Sequence, residues 1–342
     1  MAEGTQQPDD LLLEVKDLKK YFSIQSGTLH KRTGTVKAVD GVNLFVRKGE
    51  TLGLVGESGC GKTTAGRTII RLLDPTSGQI RFKDNQKGWV NLETLSRREM
   101  IPIRANIQII FQDPFSSLDP RMTVERLVSE PMVINKTASG QGLRDRVAEL
   151  LRVVGLRPEY MSRYPHAFSG GQRQRIGIAR ALALNPQLIV CDEPISALDV
   201  SIQAQVLNLL EDLQKDFNLT YLFISHDLSV VEHISDRVAV MYVGRLVELA
   251  DTEELYYAPK HPYTEALMAA IPKPDPRMRS RPVKLPGEVA SPANPPSGCY
   301  FHPRCRYAKE ICSKETPPLL EVSPKHFSAC HFANELHLRG LT

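Results

Sequence analysis

One eight-residue string constrains this chain more than any other feature. Gly56-Glu57-Ser58-Gly59-Cys60-Gly61-Lys62-Thr63 fits the pattern G-x-x-x-x-G-K-[ST]. It follows Thr51 to Val55, a short apolar run that reads as a strand. It precedes Thr64 to Leu73, which reads as a helix stopped by Asp74-Pro75. A strand that turns through glycines into a helix aims successive backbone N–H groups, and the positive helix end, at one concave point. Such a point is a seat for phosphates. Lys62 adds a charge for the outer phosphates, and Thr63 a hydroxyl for Mg²⁺. Ser58, Gly59, Cys60, Gly61, Lys62, Thr63 and Thr64 are therefore the expected phosphate contacts. Cys60 sits at a free position of the loop, and its thiol is assigned no chemistry.

The rest of the chain agrees with an α/β core. Leu11 to Leu18, Val36 to Val46 and Gly78 to Phe82 read as strands, with a turn at Lys48 to Glu50 and a polar, basic loop at Ser26 to Thr35. Between about Gln112 and Asn185 the pattern becomes mostly helical. Leu143 to Val154 carries Val147, Leu150, Leu151 and Val154 on one face, and Gly155 stops it. Ser169 is an N-cap for a helix running to about Leu184. Alternation then resumes, with a strand at Leu188 to Cys191, an amphipathic helix at Ser201 to Lys215 and a strand at Tyr221 to Ile224. That order predicts a largely parallel sheet.

Length and charge narrow the possibilities further. With 342 residues the chain exceeds what one core usually serves, so at least two structural units are expected. The formal charge of +4 is too mild to demand nucleic acid or an anionic membrane. No apolar run reaches the roughly 18 residues of a bilayer span, and the polar start at Met1 to Asp10 does not read as a secretory signal. A cytoplasmic protein that meets a membrane only through a partner is expected.

Two further groups carry chemistry. Asp192-Glu193 leaves the C-terminal end of the Leu188 strand, where open α/β sheets bind ligands. Asp192 suits the Mg²⁺ shell, and Glu193 suits a base for an attacking water. The second group is Cys299-x₅-Cys305-x₆-Cys312-x₁₇-Cys330, beyond a stretch, Ile271 to Gly298, that holds eight of the 24 prolines and reads as a stiff linker. Stable disulfides are not expected in a reducing compartment. The close C-x₂₋₄-C pairs of zinc sites and the tight ferredoxin spacings are both absent. On spacing alone, cluster, zinc and free thiols stay open, and His302, His326 and His331 are near enough in sequence to replace a thiol around zinc.

Phe168-Ser169-Gly170-Gly171-Gln172-Arg173-Gln174-Arg175 decides the family. Its Ser-Gly-Gly-Gln core resembles the signature of ATP-binding cassette (ABC) ATPases, and the family's other motifs follow in order from about Leu11 to Ala250. Phe22, or its neighbour Tyr21, falls at the adenine-stacking position, Gln112 at the Q-loop, Ser196-Ala197-Leu198-Asp199 at the D-loop and His226 at the switch histidine. The resemblance implies a P-loop ABC core with an antiparallel β subdomain and a helical subdomain. It also implies head-to-tail dimers in which Ser169, Gly170, Gly171 and Gln172 of one subunit cap the γ-phosphate held by the other. Glu193, His226 and Gln112 would be catalytic, and Thr63, Gln112 and Asp192 would hold Mg²⁺. Arg173 and Arg175 lie inside the signature helix without any nucleic-acid module, so nucleic acid is not an expected partner.

Finer strings resemble the dipeptide, oligopeptide and nickel importer ATPases: Gln112 to Arg121, Arg163-Tyr164-Pro165-His166, His261-Pro262-Tyr263-Thr264 and Pro296 to Cys305. The best match is the second, F-type ATPase of a peptide importer, with nickel, glutathione or oligosaccharide importers as the alternative. A soluble non-transport ABC ATPase is less favoured, because neither a long coiled-coil insertion nor a second cassette is present. The resemblance implies two membrane permeases, a second and different ATPase, a solute-binding protein acting indirectly, and residence at the cytoplasmic face of the inner membrane. It implies a [4Fe–4S] cluster on Cys299, Cys305, Cys312 and Cys330, and contact between the segment after Gln112 and a permease. The expected layout is a nucleotide-binding domain over 1–260 with the helical subdomain at about 112–185, a linker over 261–298 and a four-cysteine module over 299–342.

Overall fold

The computed structural model describes residues 10–26, 31–271 and 285–341. Two compact units emerge from the packing: residues 10–13, 46–50 and 82–224 form the first, and residues 14–45, 51–81 and 225–341 the second. In chain order the strands and helices are β1 (Leu11–Ser26), β2 (Lys31–Arg47), β3 (Thr51–Val55), α1 (Lys62–Ile69), β4 (Ser77–Asp84), β5 (Gly88–Asn91), α2 (Arg97–Asn106), β6 (Ile107–Ile110), α3 (Val124–Ile134), α4 (Gly140–Val153), α5 (Gly170–Leu182), β7 (Leu188–Asp192) and α6 (Val200–Phe217). They continue with β8 (Thr220–Ile224), α7 (Leu228–Ile234), β9 (Arg237–Tyr242), β10 (Arg245–Asp251), α8 (Thr252–Tyr257), α9 (Pro262–Ala269), α10 (Glu310–Lys314), β11 (Leu320–Ser323) and β12 (His326–Ser328).

The first unit is built on a parallel ladder. β7 pairs with β6 on one side and β8 on the other, with Val190 between Ile109 and Leu222. Every residue of β7 and β8 is buried, which is why both read as unbroken apolar runs rather than as alternating ones. The expected helical insert is present as α3, α4 and α5. Val147, Leu150 and Leu151 are buried on α4. α5 opens on a capping box, in which the Ser169 side chain accepts from the Gln172 N–H and Gln172 reaches back to the Ser169 N–H. Sequence reading did not anticipate β5, α2 and β6. Ser96 and Glu99 form a second capping box at the start of α2.

In the second unit, β3 pairs in parallel with β9, and β9 pairs antiparallel with β10. β1 lies between β2 and β4 in a separate sheet. Three expectations need correction here. The helix after the glycine loop starts at Lys62 and ends at Ile69 rather than Leu73, and Arg71 then turns left-handed with φ 56°. The stretch 261–298 is not all linker: Pro262 opens helix α9, at a position that needs no N–H donor. Residues 299–342 are not an independent module, because β12 pairs with β10 and β11 with β12, so the tail extends the unit's own sheet. Residues 285–298 contain no helix or strand; the rest of the proline-rich stretch, 272–284, lies outside the described residues. No helix among the described residues is long and apolar enough to cross a membrane.

Candidate active site

The expected site residues fall into two sets, one in each unit. In the second unit, the loop between β3 and α1 is shaped by glycines that nothing else can replace. Gly56 has φ 150° and Gly61 φ 107°, and a Cβ on either would stand 2.1 Å from a carbonyl oxygen, of Met241 and Ala38 respectively. Such contacts cannot be relieved by a rotamer change. Cys60 is buried, which raises its thiol pKa, and its carbonyl accepts from the Gly244 N–H at 2.8 Å. Its role is to anchor the loop on the β9–β10 turn, in keeping with a thiol of no chemistry. Lys62 is buried and its Nζ donates to the Gly56 and Glu57 carbonyls at 2.7 and 3.1 Å. Ser58 and Gly59 are exposed at the loop's crest, and Thr63 and Thr64 occupy the first turn of α1.

His226 joins this set. It lines one cleft with Gly56, Glu57 and the N-terminal residues of α7, a helix capped by the Asp227 carboxylate, which accepts from Ser229 and Val230 N–H. The two adenine candidates on β1 differ. The Tyr21 hydroxyl donates to Asp40, while Phe22 is 39% exposed with Lys20 5.1 Å from its ring centre.

In the first unit, Asp192 ends β7 with no exposed surface. Glu193 follows in the left-handed region with φ 49°, and its N–H donates to the Ile224 carbonyl at 3.0 Å. This turn brings the Glu193 carboxylate to Gln112, whose Nε2 donates to Oε2 at 2.8 Å. The Q-loop glutamine and the expected base, 81 residues apart, are thus one hydrogen-bonded pair. The signature residues cluster with the D-loop. Ser169 is exposed at the end of α5, a Cβ on Gly170 would come within 3.4 Å of the Leu198 side chain, and one on Gly171 within 2.4 Å of Ile202. Packing against α6 therefore already demands glycine at 171. Arg173 donates to the Pro165 carbonyl and stacks on Phe115, and Arg175 donates to the Val154 carbonyl. Both cations are internal fasteners, which accounts for them without nucleic acid.

Sequence reading missed the long-range partners of the second unit. The Arg304 guanidinium forms a two-pronged ion pair with Glu57, at 2.8 and 3.2 Å. The Tyr263 hydroxyl accepts the Glu57 N–H at 2.9 Å. Asp40 accepts from Tyr21, from Tyr300 at 2.8 Å and from Arg245 at 2.8 and 3.0 Å. Burial would raise the Asp40 pKa, but these hydrogen bonds outweigh it and hold the carboxyl below the usual range. Glu248 is fully buried and accepts from the Lys260 and His261 N–H groups and from His326 Nε2 at 2.6 Å. His326 thereby commits its Nε2 to Glu248, while its Nδ1 is buried without a hydrogen-bond partner. The string His261-Pro262-Tyr263 was the available signal for part of this. His261, kept neutral by burial with its pKa lowered to about 3, caps α9 through Nδ1, and Tyr263 reaches the phosphate loop.

Cys299, Cys305, Cys312 and Cys330 line a single apolar cavity together with Phe301 and His302, and all four are free thiols. Burial raises the Cys299 thiol pKa and pushes Cys305 up to about 11 and Cys330 to about 12. Among the described residues, however, no group of three or more His, Cys, Asp or Glu is arranged to hold a metal ion. The expected cluster thus lacks support from the arrangement of its ligands.

Comparison with known proteins agrees with this geometry. Residues 39–196 match the model of the ABC transporter family, and residues 247–312 match that of the oligopeptide/dipeptide transporter C-terminal region. The chain is 56% identical to the oligopeptide transport ATP-binding protein AppF of Bacillus subtilis over 94% of this chain and 97% of that one. It is 52% identical to a putative peptide import ATP-binding protein of Brucella ovis over 93% of this chain and 97% of that one. Among solved structures, the dimeric post-hydrolysis state of the ATP-binding cassette MJ0796 bound to ADP and Pi is similar with a TM-score of 0.61 and 28% identity, over 70% of this chain and 99% of that one. The glycine loop, the signature helix and matches spanning nearly the whole chain lead to one conclusion: this chain belongs to the ABC transporter ATP-binding subunits, in their oligopeptide/dipeptide branch.

Proposed function

We propose that this chain hydrolyses ATP to drive import of dipeptides or oligopeptides through partner permeases. The observation that carries the reading is the pairing of a phosphate loop locked by Gly56 and Gly61 with relatives named for peptide import along almost the entire chain. Lys62 exchanges its loop carbonyls for the outer phosphates, and the N–H groups of Ser58 to Thr64 cradle them. Mg²⁺, which neutralises phosphate charge, would be held by Thr63, Gln112 and Asp192. Glu193 orients the attacking water and takes its proton, and the Gln112 hydrogen bond fixes the carboxylate. His226 supports the γ-phosphate. Phe22 stacks on adenine, and Ser169 to Gln172 act on the ATP held by a second ATPase subunit.

The assembly we infer contains two permeases, a different partner ATPase and an indirectly acting solute-binding protein, at the cytoplasmic face of the inner membrane. The segment after Gln112 docks on a permease, and residues 1–260 form the nucleotide-binding domain. For the tail we keep the [4Fe–4S] reading. What supports it is the family resemblance of the tail together with four free thiols lining one cavity. Iron and sulfide analysis of anaerobically purified protein tests it, and stoichiometric zinc or metal-free protein rejects it.

The main test is Glu193→Gln in the assembled transporter. ATP binding persists while turnover and peptide uptake fall by roughly 10²-fold or more. Turnover at the wild-type rate would overturn the assignment of the base, and uptake of nickel without peptide would overturn the substrate class.

A further inference from the structure

Within the second unit, the segment between Cys299 and Cys305 makes two contacts that matter to a nucleotide. Arg304 is buried, and both its terminal nitrogens donate to the Glu57 carboxylate of the phosphate loop. Four residues earlier, the Tyr300 hydroxyl donates to Asp40, which also accepts from Tyr21 on β1. One short stretch of tail therefore reaches both the aromatic position and the phosphate loop.

We propose that residues 299–305 are a positioning clamp on the phosphate loop, in which Arg304 sets the loop through Glu57 while the Tyr300–Asp40 contact seats the same stretch of tail. This rests on the nucleotide reading above. Glu57 is held on three sides: Arg304 takes its side chain, the Tyr263 hydroxyl accepts its N–H, and Lys62 donates to its carbonyl. Lys62 is the residue that must meet phosphate, so a Glu57 free to rotate leaves the loop and its lysine less ordered. A forked guanidinium suits the task because two parallel bonds fix orientation as well as distance.

The tail is built to present this fork. Gly298 turns with φ 67° where a Cβ would stand 2.3 Å from the Cys312 carbonyl oxygen. The Cys299 N–H then donates to that same carbonyl at 2.8 Å. A single 3-10 turn, His302 to Arg304, follows and aims Arg304 at the loop. Phe301 packs against Tyr242 and Tyr263, with ring centres 5.3 and 5.4 Å away, and so seats the turn on β9 and α9. Arg304 need not touch the nucleotide; it acts through Glu57.

Titration of the full-length chain with MgATP tests the clamp. Arg304→Gln and Glu57→Gln each weaken binding about tenfold, and the double variant weakens it by the same tenfold rather than a hundredfold, because either change breaks one shared contact. Arg304→Lys, a point charge without the fork, falls between. In the assembled transporter KM for ATP rises while kcat holds. Unchanged affinity in Glu57→Gln, or losses that multiply in the double variant, would overturn the clamp. Should Arg304→Gln fail to fold, Glu57→Gln still decides, since its side chain is partly exposed. Wild-type chain that binds no ATP would instead defeat the nucleotide reading itself.

Discussion

The phosphate loop and the cysteine tail lie in the same unit and are fixed by opposite means. The loop is set by backbone against backbone, with Gly56 and Gly61 pressed on the Met241 and Ala38 carbonyls. The tail is set by side chains gripping distant partners: Arg304 on Glu57, Tyr300 on Asp40 and His326 on Glu248. Local steric demands leave a compact string in the sequence. Pairs separated by as many as 260 residues leave none.

The sharpest way to break this contrast is Gly61→Ala. The added methyl meets a carbonyl at 2.1 Å in a backbone conformation, φ 107°, that L-residues avoid. No side chain can yield, so the loop itself must move. MgATP affinity should fall by on the order of 10²-fold, about 2.7 kcal/mol, with the rest of the second unit still folded. Retained affinity would show that the loop is held from outside, as the tail is.

For the tail, Glu248→Ala makes the corresponding cut. It removes the acceptor of two backbone N–H groups and of His326, all in a buried setting. Stranded donors of this kind cost about 3 kcal/mol together. The loss should be local: faster hydrogen exchange at Phe327 on β12 and faster alkylation of Cys330, with ATP affinity changed less than by Gly61→Ala. Glu248→Gln keeps an acceptor and should be milder. Global unfolding at the same cost would mean that the tail is part of the core rather than strapped to it.

These cases show what was legible in the sequence. Strands β3, β7 and β8 and helices α4, α5 and α6 came from apolar runs, helical spacing and caps such as Ser169, all short-range signals. The hydrogen bond between Gln112 and Glu193 was not legible, since nothing local joins residues 81 positions apart. The β11–β12 pair was hidden for another reason: it has seven residues, and Leu320 and Glu321 of β11 are exposed, so no apolar alternation marks it. The thiols were visible as a group, but their arrangement round a cavity depends on Gly298, Phe301 and α10, which spacing does not encode.

The adenine position lies between these extremes, because the string narrows it to Tyr21 or Phe22 and a long-range contact separates them. Tyr21 spends its hydroxyl on Asp40, and burial together with that carboxylate raises the phenol's pKa, so it stays a neutral donor. Phe22 exposes its ring, with Lys20 beside it. A base that stacks needs an accessible π-face, so Phe22→Ala should weaken MgATP binding by about 1–3 kcal/mol. Tyr21→Phe keeps a ring and removes one of several donors to Asp40, whose other partners remain, so its effect should stay below about 1 kcal/mol and appear in stability. Titrating both variants with ATP and with inorganic triphosphate separates base from phosphate. The expected result is a Phe22→Ala deficit seen with ATP and absent with triphosphate. A deficit confined to Tyr21→Ala would move the stacking residue by one position and make Asp40 its support, which would bring the base end of the site under the same long-range control as the tail.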